Sequence, residues 1–148
     1  MPVHKAKALA RQVKNRFGGL DYLIVDYIGR MTTEGKWNMQ TWDEYYEITK
    51  QLKELAMTLN IPIFILAQLN DEGKVEGAKK MKNECDGVLF FQPIEEKDED
   101  YIRKNFREDR QKTINYKIVK EKVRRDDNPF PIYVNFDKKK QFINEVAQ

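Results

Sequence analysis

The sequence predicts an α/β fold with a mixed sheet, parallel strands being extended by antiparallel strands toward the carboxyl end. Three observations predict it. Apolar residues recur at steps of three and four over residues 4–17 and again beyond Thr41, the spacing of amphipathic helices. Short runs of apolar and β-branched residues at 21–28 and 62–68 follow those helices and suit strands buried on both faces. From Ile114 onward the pattern changes to strict alternation, which suits antiparallel strands with one wetter face. Helix, strand, helix, strand, strand and then antiparallel strands is the order of an α/β domain.

Each element has a local reason. In 4–17, Ala6, Leu9, Ala10, Val13 and Phe17 form one stripe among Lys5, Lys7, Arg11, Lys14 and Arg16. Gly18 and Gly19 stop that helix, because glycine accepts the left-handed backbone at a helix end. Residues 29–40 read as loop. Thr41-Trp42-Asp43-Glu44 has the form of a capping box, in which the Thr41 hydroxyl and the Glu44 carboxylate each satisfy a free amide of the first turn. The stripe Trp42, Tyr45, Tyr46, Thr49, Leu52, Leu55, Ala56 and Leu59 follows, and Asn60 and Pro62 end it. A polar, lysine-bearing stretch runs from Leu69 to Glu84, and 87–91 reads as a third strand. The dense charge of 92–113 reads as a surface excursion, helical around Tyr101 to Phe106. Residues 114–119, 130–136 and a short strand through Phe142 and Ile143 complete a single domain over 1–148.

Composition narrows the classes of function. In 148 residues, 41% are hydrophobic and 34% charged, a balance that supports a packed core and argues against wholesale disorder. No run approaches the roughly 20 apolar residues of a spanning helix, and no signal-type stretch follows Met1, so a cytoplasmic protein without membrane contact is expected. One cysteine, Cys85, and one histidine, His4, exclude an intrachain disulfide and a structural zinc site. Any metal should be a hard ion held by oxygen, such as magnesium. The net charge of +3 permits nucleic-acid binding without requiring it.

Ligands of open α/β sheets sit at the carboxyl ends of the parallel strands, and that rule selects Asp26 and Gln68. A carboxylate there can hold magnesium through water beside phosphates, or it can simply cap a turn. An amide there can bridge phosphate and a loop, or it can be a polar residue leaving a strand. Lys122 and Arg124 stand two apart, on one side of an extended strand, as an anion clamp or as part of a basic hairpin. Lys36, Lys74, Lys79 and Lys80 are candidate contacts to a nucleic-acid backbone, although Glu72, Glu76 and Glu84 dilute the last three. Trp37 can stack on bases, whereas Trp42 belongs to the helix stripe. Cys85 is expected to be buried, and His4 has no evident partner.

The order of these segments is more specific than any one of them. Residues 23–28 (Leu-Ile-Val-Asp-Tyr-Ile) resemble the Walker B strand of DnaB-type replicative helicases. Residues 46–56 are similar to the helix that follows it in that family, and 60–70 to the next strand with its Gln-Leu-Asn ending. Residues 84–91 (Glu-Cys-Asp-Gly-Val-Leu-Phe-Phe) match the strand after that. Lys122-Val123-Arg124 followed by 130–137 resembles the Lys-x-Arg hairpin, in the form of phage primase-helicases and Twinkle-like proteins. The resemblance runs from about Ala6 to Phe142 and implies a partial RecA-like P-loop NTPase core.

In the intact family member this implies ATP and magnesium as cofactors, a homo-hexamer, single-stranded DNA as track, and a primase or loader as partner. Asp26 would be the Walker B acid at magnesium, Gln68 the sensor of phosphate, and Arg124 an arginine finger with Lys122 beside it. With one hairpin gap shifted, Lys122 takes the arginine's position. The loops 29–40 and 69–82 would face the central channel. The family's phosphate loop, Gly-x-x-x-x-Gly-Lys-Ser/Thr, occurs nowhere in these 148 residues, and its catalytic glutamate lies upstream of the Walker B strand. The chain by itself is therefore expected neither to hold ATP tightly nor to hydrolyse it. Two other readings stand beside this one. The first is a non-catalytic single-stranded DNA-binding or helicase-assembly module. The second is an unrelated nuclease or phosphotransfer domain using Asp21, Asp26 and Asp86 at a metal.

Overall fold

A computed structural model describes residues 1–34, 41–68, 78–124 and 131–147, the side chains of Trp42, Ala78 and Lys79 excepted. The chain divides into two compact units, Met1–Cys85 and Asp86–Gln148.

The first unit is built around a pair of parallel strands. Helix α1 (Val3–Phe17) ends where Gly18 takes the left-handed conformation, φ 74°. Strand β1 (Leu23–Val25) and strand β2 (Ile63–Ile65) pair in register, Leu23 with Ile63, Ile24 with Phe64 and Val25 with Ile65. Between them lie a 3-10 turn (Ile28–Arg30) and the long helix α2 (Thr41–Leu59). Asn60 closes α2 with φ 52°, a conformation that asparagine tolerates better than most residues. Ile48, Leu52, Leu55 and Leu59 of α2 meet Ala6 and Ala10 of α1 and Val25, Ile28 and Ile61 in one core, with Leu23, Ile63 and Ile65 packed against it. A short helix, α3 (Ala78–Glu84), adds Met81 to this core. Part of the stretch read as a polar loop is thus helical, because a single buried methionine anchors a segment too short to show a periodic stripe.

Both parallel strands were expected to be buried on two faces. One face is buried. On the other, Tyr22, Ile24, Phe64 and Leu66 stand exposed. The strands are also shorter than their apolar runs, because beyond Val25 the chain turns at once into the 3-10 helix, with Ile28 buried.

The second unit is a four-stranded antiparallel sheet in the order β3 (Gly87–Pro93), β4 (Tyr116–Val123), β5 (Ile132–Asp137), β6 (Phe142–Glu145). Parallel and antiparallel strands are both present, as expected, in two separate sheets. The charged segment 92–113 holds the helices α4 (Glu96–Asn105) and α5 (Glu108–Gln111). Its few apolar residues are what count: Ile102 and Phe106 are buried with Ile114 and Tyr133 in the core of this unit. Tyr101 stacks on Tyr133 at 5.6 Å, and Phe106 meets the same ring edge-on at 5.5 Å.

Candidate functional site

The two parallel strands place Asp26 and Gln68 at the same end of adjacent strands. Past the ladder, the Leu66 amide donates to the Val25 carbonyl at 3.0 Å, and the Ile28 amide donates to the Leu66 carbonyl at 3.0 Å. The main chain around Asp26 is therefore stitched to the segment that leads to Gln68. Both side chains are exposed. Asp26 does not cap the turn after it, since the 3-10 helix starts from Tyr27 with no side-chain cap. Among the described residues its carboxylate has no ion-pair partner. An exposed carboxylate with no competing cation suits a hard, water-bearing ion better than it suits a structural role. The turn itself is tight: a Cβ on Gly29 would fall 2.5 Å from the Tyr27 ring and 3.2 Å from the Tyr45 hydroxyl.

Lys122 and Arg124 lie in the second unit, at the end of β4. Lys122 is exposed and pairs with Val88 across the ladder, next to an irregularity at Val88 and Leu89. Arg124 follows the strand and is held twice by Asp86, the residue before β3. Its amide donates to the Asp86 carbonyl at 3.0 Å, and its Nη1 lies 3.2 Å from the Asp86 carboxylate. The structure thus brings Asp26 and Gln68 together, and Lys122 and Arg124 together, with one pair in each unit.

Of the candidate DNA contacts, Lys36 and Lys74 lie outside the described residues, as does Trp37. The side chain of Lys79, on α3, is likewise outside them. Lys80 points its Nζ to within 2.6 Å of Asp43 on α2. The hydrogen bond and the charge of Asp43 raise the Lys80 pKa above its ordinary value. His4, which had no evident partner in the sequence, places Nδ1 3.2 Å from Glu34. Cys85 is half-buried. Glu44 accepts from the Thr33 amide at 2.9 Å and the Thr33 hydroxyl at 3.3 Å, tying the start of α2 to the chain beyond the 3-10 turn.

Sequence reasoning missed one charged cluster. Lys117 was expected on a wet strand face, yet it is only 3% exposed. Its Nζ lies 2.6 Å from Asp98 and 3.4 Å from Glu95, and the Tyr133 hydroxyl is 3.5 Å from Asp98. Asp98 also accepts the Glu95 amide at 2.8 Å at the start of α4. Burial pushes the Asp98 carboxyl up, but the Lys117 hydrogen bond, the Glu95 amide and the Lys117 charge outweigh it and leave the pKa below the usual carboxylate value. Burial and the Asp98 charge push Tyr133 up to about 12. Strict alternation could not reveal this cluster, because Lys117 occupies a core position and is neutralised from a helix nineteen residues away. Among the described residues no group of three histidine, cysteine or acidic side chains converges to hold a metal, so the nuclease reading gains no support. No described helix is long and apolar enough to cross a membrane.

A parallel pair ending in an acid and an amide, joined by a helix, is the local architecture of the RecA-like class. The whole chain superposes on a DnaB-like replicative helicase, solved in a study of its interactions with primase, with a TM-score of 0.67. Identity there is 20%, with 93% of this chain and 34% of that one covered, so the likeness establishes the fold. The model of the DnaB-like helicase C-terminal domain matches residues 1–121, and the chain belongs to that family. Among curated relatives, the replicative helicase DnaB of Pasteurella multocida is 39% identical over 64 residues, 43% of this chain and 14% of that protein. DnaB of Haemophilus influenzae is 35% identical over 77 residues, 52% and 16% respectively. The DNA repair protein RadA of Streptococcus pneumoniae is 34% identical over 73 residues, 49% and 17%. The matched stretch spans about one sixth of these relatives.

Proposed function

We propose that this chain is part of the motor of a replicative DNA helicase, in which ATP hydrolysis drives translocation on single-stranded DNA and unwinding of the duplex. The observation that carries this reading is the pairing of two parallel strands whose same ends bear Asp26 and Gln68. Asp26 would hold magnesium through water beside the β- and γ-phosphates, and Gln68 would hydrogen-bond the γ-phosphate and pass its loss to the following loop. Magnesium would neutralise charge on the phosphates. Arg124, with Lys122 beside it, would reach the nucleotide of a neighbouring subunit in a hexameric ring. Lys36, Lys74, Lys79 and Lys80 would contact the DNA backbone, Lys80 exchanging Asp43 for phosphate. A primase is the natural partner, by analogy with the helicase it resembles in structure.

No phosphate loop is present in these 148 residues, so backbone amides to cradle the phosphates must come from other polypeptide. The chain alone should therefore show no micromolar affinity for labelled ATP with magnesium. In the full motor, Asp26→Asn should slow ATP hydrolysis by about 100-fold or more, since a bound metal contributes several kcal/mol at the transferring phosphoryl group. Undiminished hydrolysis in that variant would remove Asp26 from the mechanism. Salt-sensitive binding of an oligonucleotide by the isolated chain, with no ATPase in any assembled form, would instead favour a non-catalytic DNA-binding or assembly module.

A further inference from the structure

The open side of the β1–β2 sheet has the features of a strand-accepting site. Ile24 and Phe64 face each other across the ladder and are 54% and 55% exposed. Tyr22 and Leu66 extend the same face, with the Tyr22 and Phe64 rings 6.5 Å apart. Parallel sheets are normally covered on both faces, and a two-stranded sheet is marginal in water. The outer edge of β1 is open as well. The Leu23 amide donates to the Pro62 carbonyl at 3.1 Å, and the Val25 carbonyl accepts from Leu66, so these residues turn their main-chain groups toward β2. Alternation turns the amide and carbonyl of Ile24 the other way, onto an edge that no described strand fills.

A cavity of about 370 Å³ lies along that edge, lined by Leu9, Ala10 and Val13 of α1 and by Leu23, Ile24 and Val25 of β1. A strand added at the usual spacing of roughly 4.8 Å would enter this groove with every second side chain directed at α1. We infer that the edge of β1 receives a further β-strand, apolar at alternate positions, from the portion of a DnaB-type motor core outside these 148 residues. Two findings favour that occupant over a second copy. The chain covers 34% of the helicase chain it superposes on, leaving about two thirds to supply the strand. The groove is also continuous with the core of the same unit, since Ala10 and Val25 belong to both. The inference rests on membership of the family and not on the roles given to Asp26 or Arg124.

The test is co-expression of this chain with the segment of Pasteurella multocida DnaB that ends just before its matched stretch, followed by hydrogen exchange. The two pieces should co-purify, and exchange at the Ile24 amide should slow by 100-fold or more relative to the chain alone. Ile24→Lys and Phe64→Lys, both at exposed positions, should keep the circular dichroism of the chain and abolish co-purification. Asp26→Asn should leave co-purification intact, which separates this inference from the catalytic one. Three results would overturn it. They are failure of the wild-type pieces to associate, association that survives both lysine variants, and a stable dimer of the chain alone that Ile24→Lys splits.

Discussion

Lys117 and Arg124 sit on the same strand and its continuation, and their surroundings give them opposite roles. Lys117 is locked into the core by Asp98, so its loss strands a buried carboxylate. Lys117→Met should cost about 3–5 kcal/mol in a urea titration, whereas pairing it with Asp98→Asn should recover much of that. The pH dependence follows from the direction of each shift. Asp98 titrates below its usual value when folded, so its contribution is present above about pH 4 and is lost as the pH falls further. Tyr133 titrates higher when folded, up to about 12, so its contribution holds below about pH 10 and fades as the pH climbs toward 12. Urea midpoints measured at pH 2.5, 7 and 11 should therefore fall at both extremes, and less so at the acid end in the Asp98→Asn, Lys117→Met double variant. Arg124, by contrast, is exposed and paired on the surface with Asp86, an arrangement that costs little to exchange for a phosphate. In the assembled motor, Arg124→Ala should lower ATP turnover by roughly 1,000-fold, with Lys122→Ala having the smaller effect. The reverse ranking would place the finger at Lys122.

At the scale of elements, the turn after β1 is the most constrained. Gly29 lies against Tyr27 and Tyr45, so Gly29→Ala must displace an aromatic ring and should destabilise the first unit by about 1–3 kcal/mol, read by thermal denaturation. The same turn carries the chain from Asp26, so nucleotide hydrolysis in the intact motor should fall in that variant even where folding is rescued by lower temperature. Helix α2 and strand β2 were legible in the sequence because their apolar spacing is local and strong. The boundaries of β1 and β2 were not, since apolar residues beyond Val25 and Ile65 are used in turns and on an open face. The helices in 92–113 were only partly legible, because two buried residues, Ile102 and Phe106, hold a segment that otherwise reads as solvated charge.

At the scale of the molecule there are two cores in one chain, one formed by α1, α2 and the parallel pair, the other by α4 and the antiparallel sheet. Both tryptophans, Trp37 and Trp42, belong to residues 1–85. Tryptophan fluorescence therefore reports the first unit, while Tyr101, Tyr116 and Tyr133 report the second. Lys117→Met should lower the urea midpoint followed through the tyrosine near-ultraviolet signal and leave the tryptophan midpoint unshifted. A common shift in both signals would show that the two cores unfold as one.

The sequence by itself determined the α/β class, the order of helices and strands, the family, and the positions of an acid and an amide at two strand ends. All of these are written in periods of two and 3.6 or in short contiguous motifs, which neighbouring residues specify without outside help. Only the tertiary structure decided that Asp26 and Gln68 leave the same end of adjacent strands, that Asp86 holds Arg124, that Lys117 is buried, and that one face and one edge of the parallel pair stand open. Each of those depends on residues far apart in the chain meeting, or failing to meet, in space, and a local pattern carries no record of such encounters.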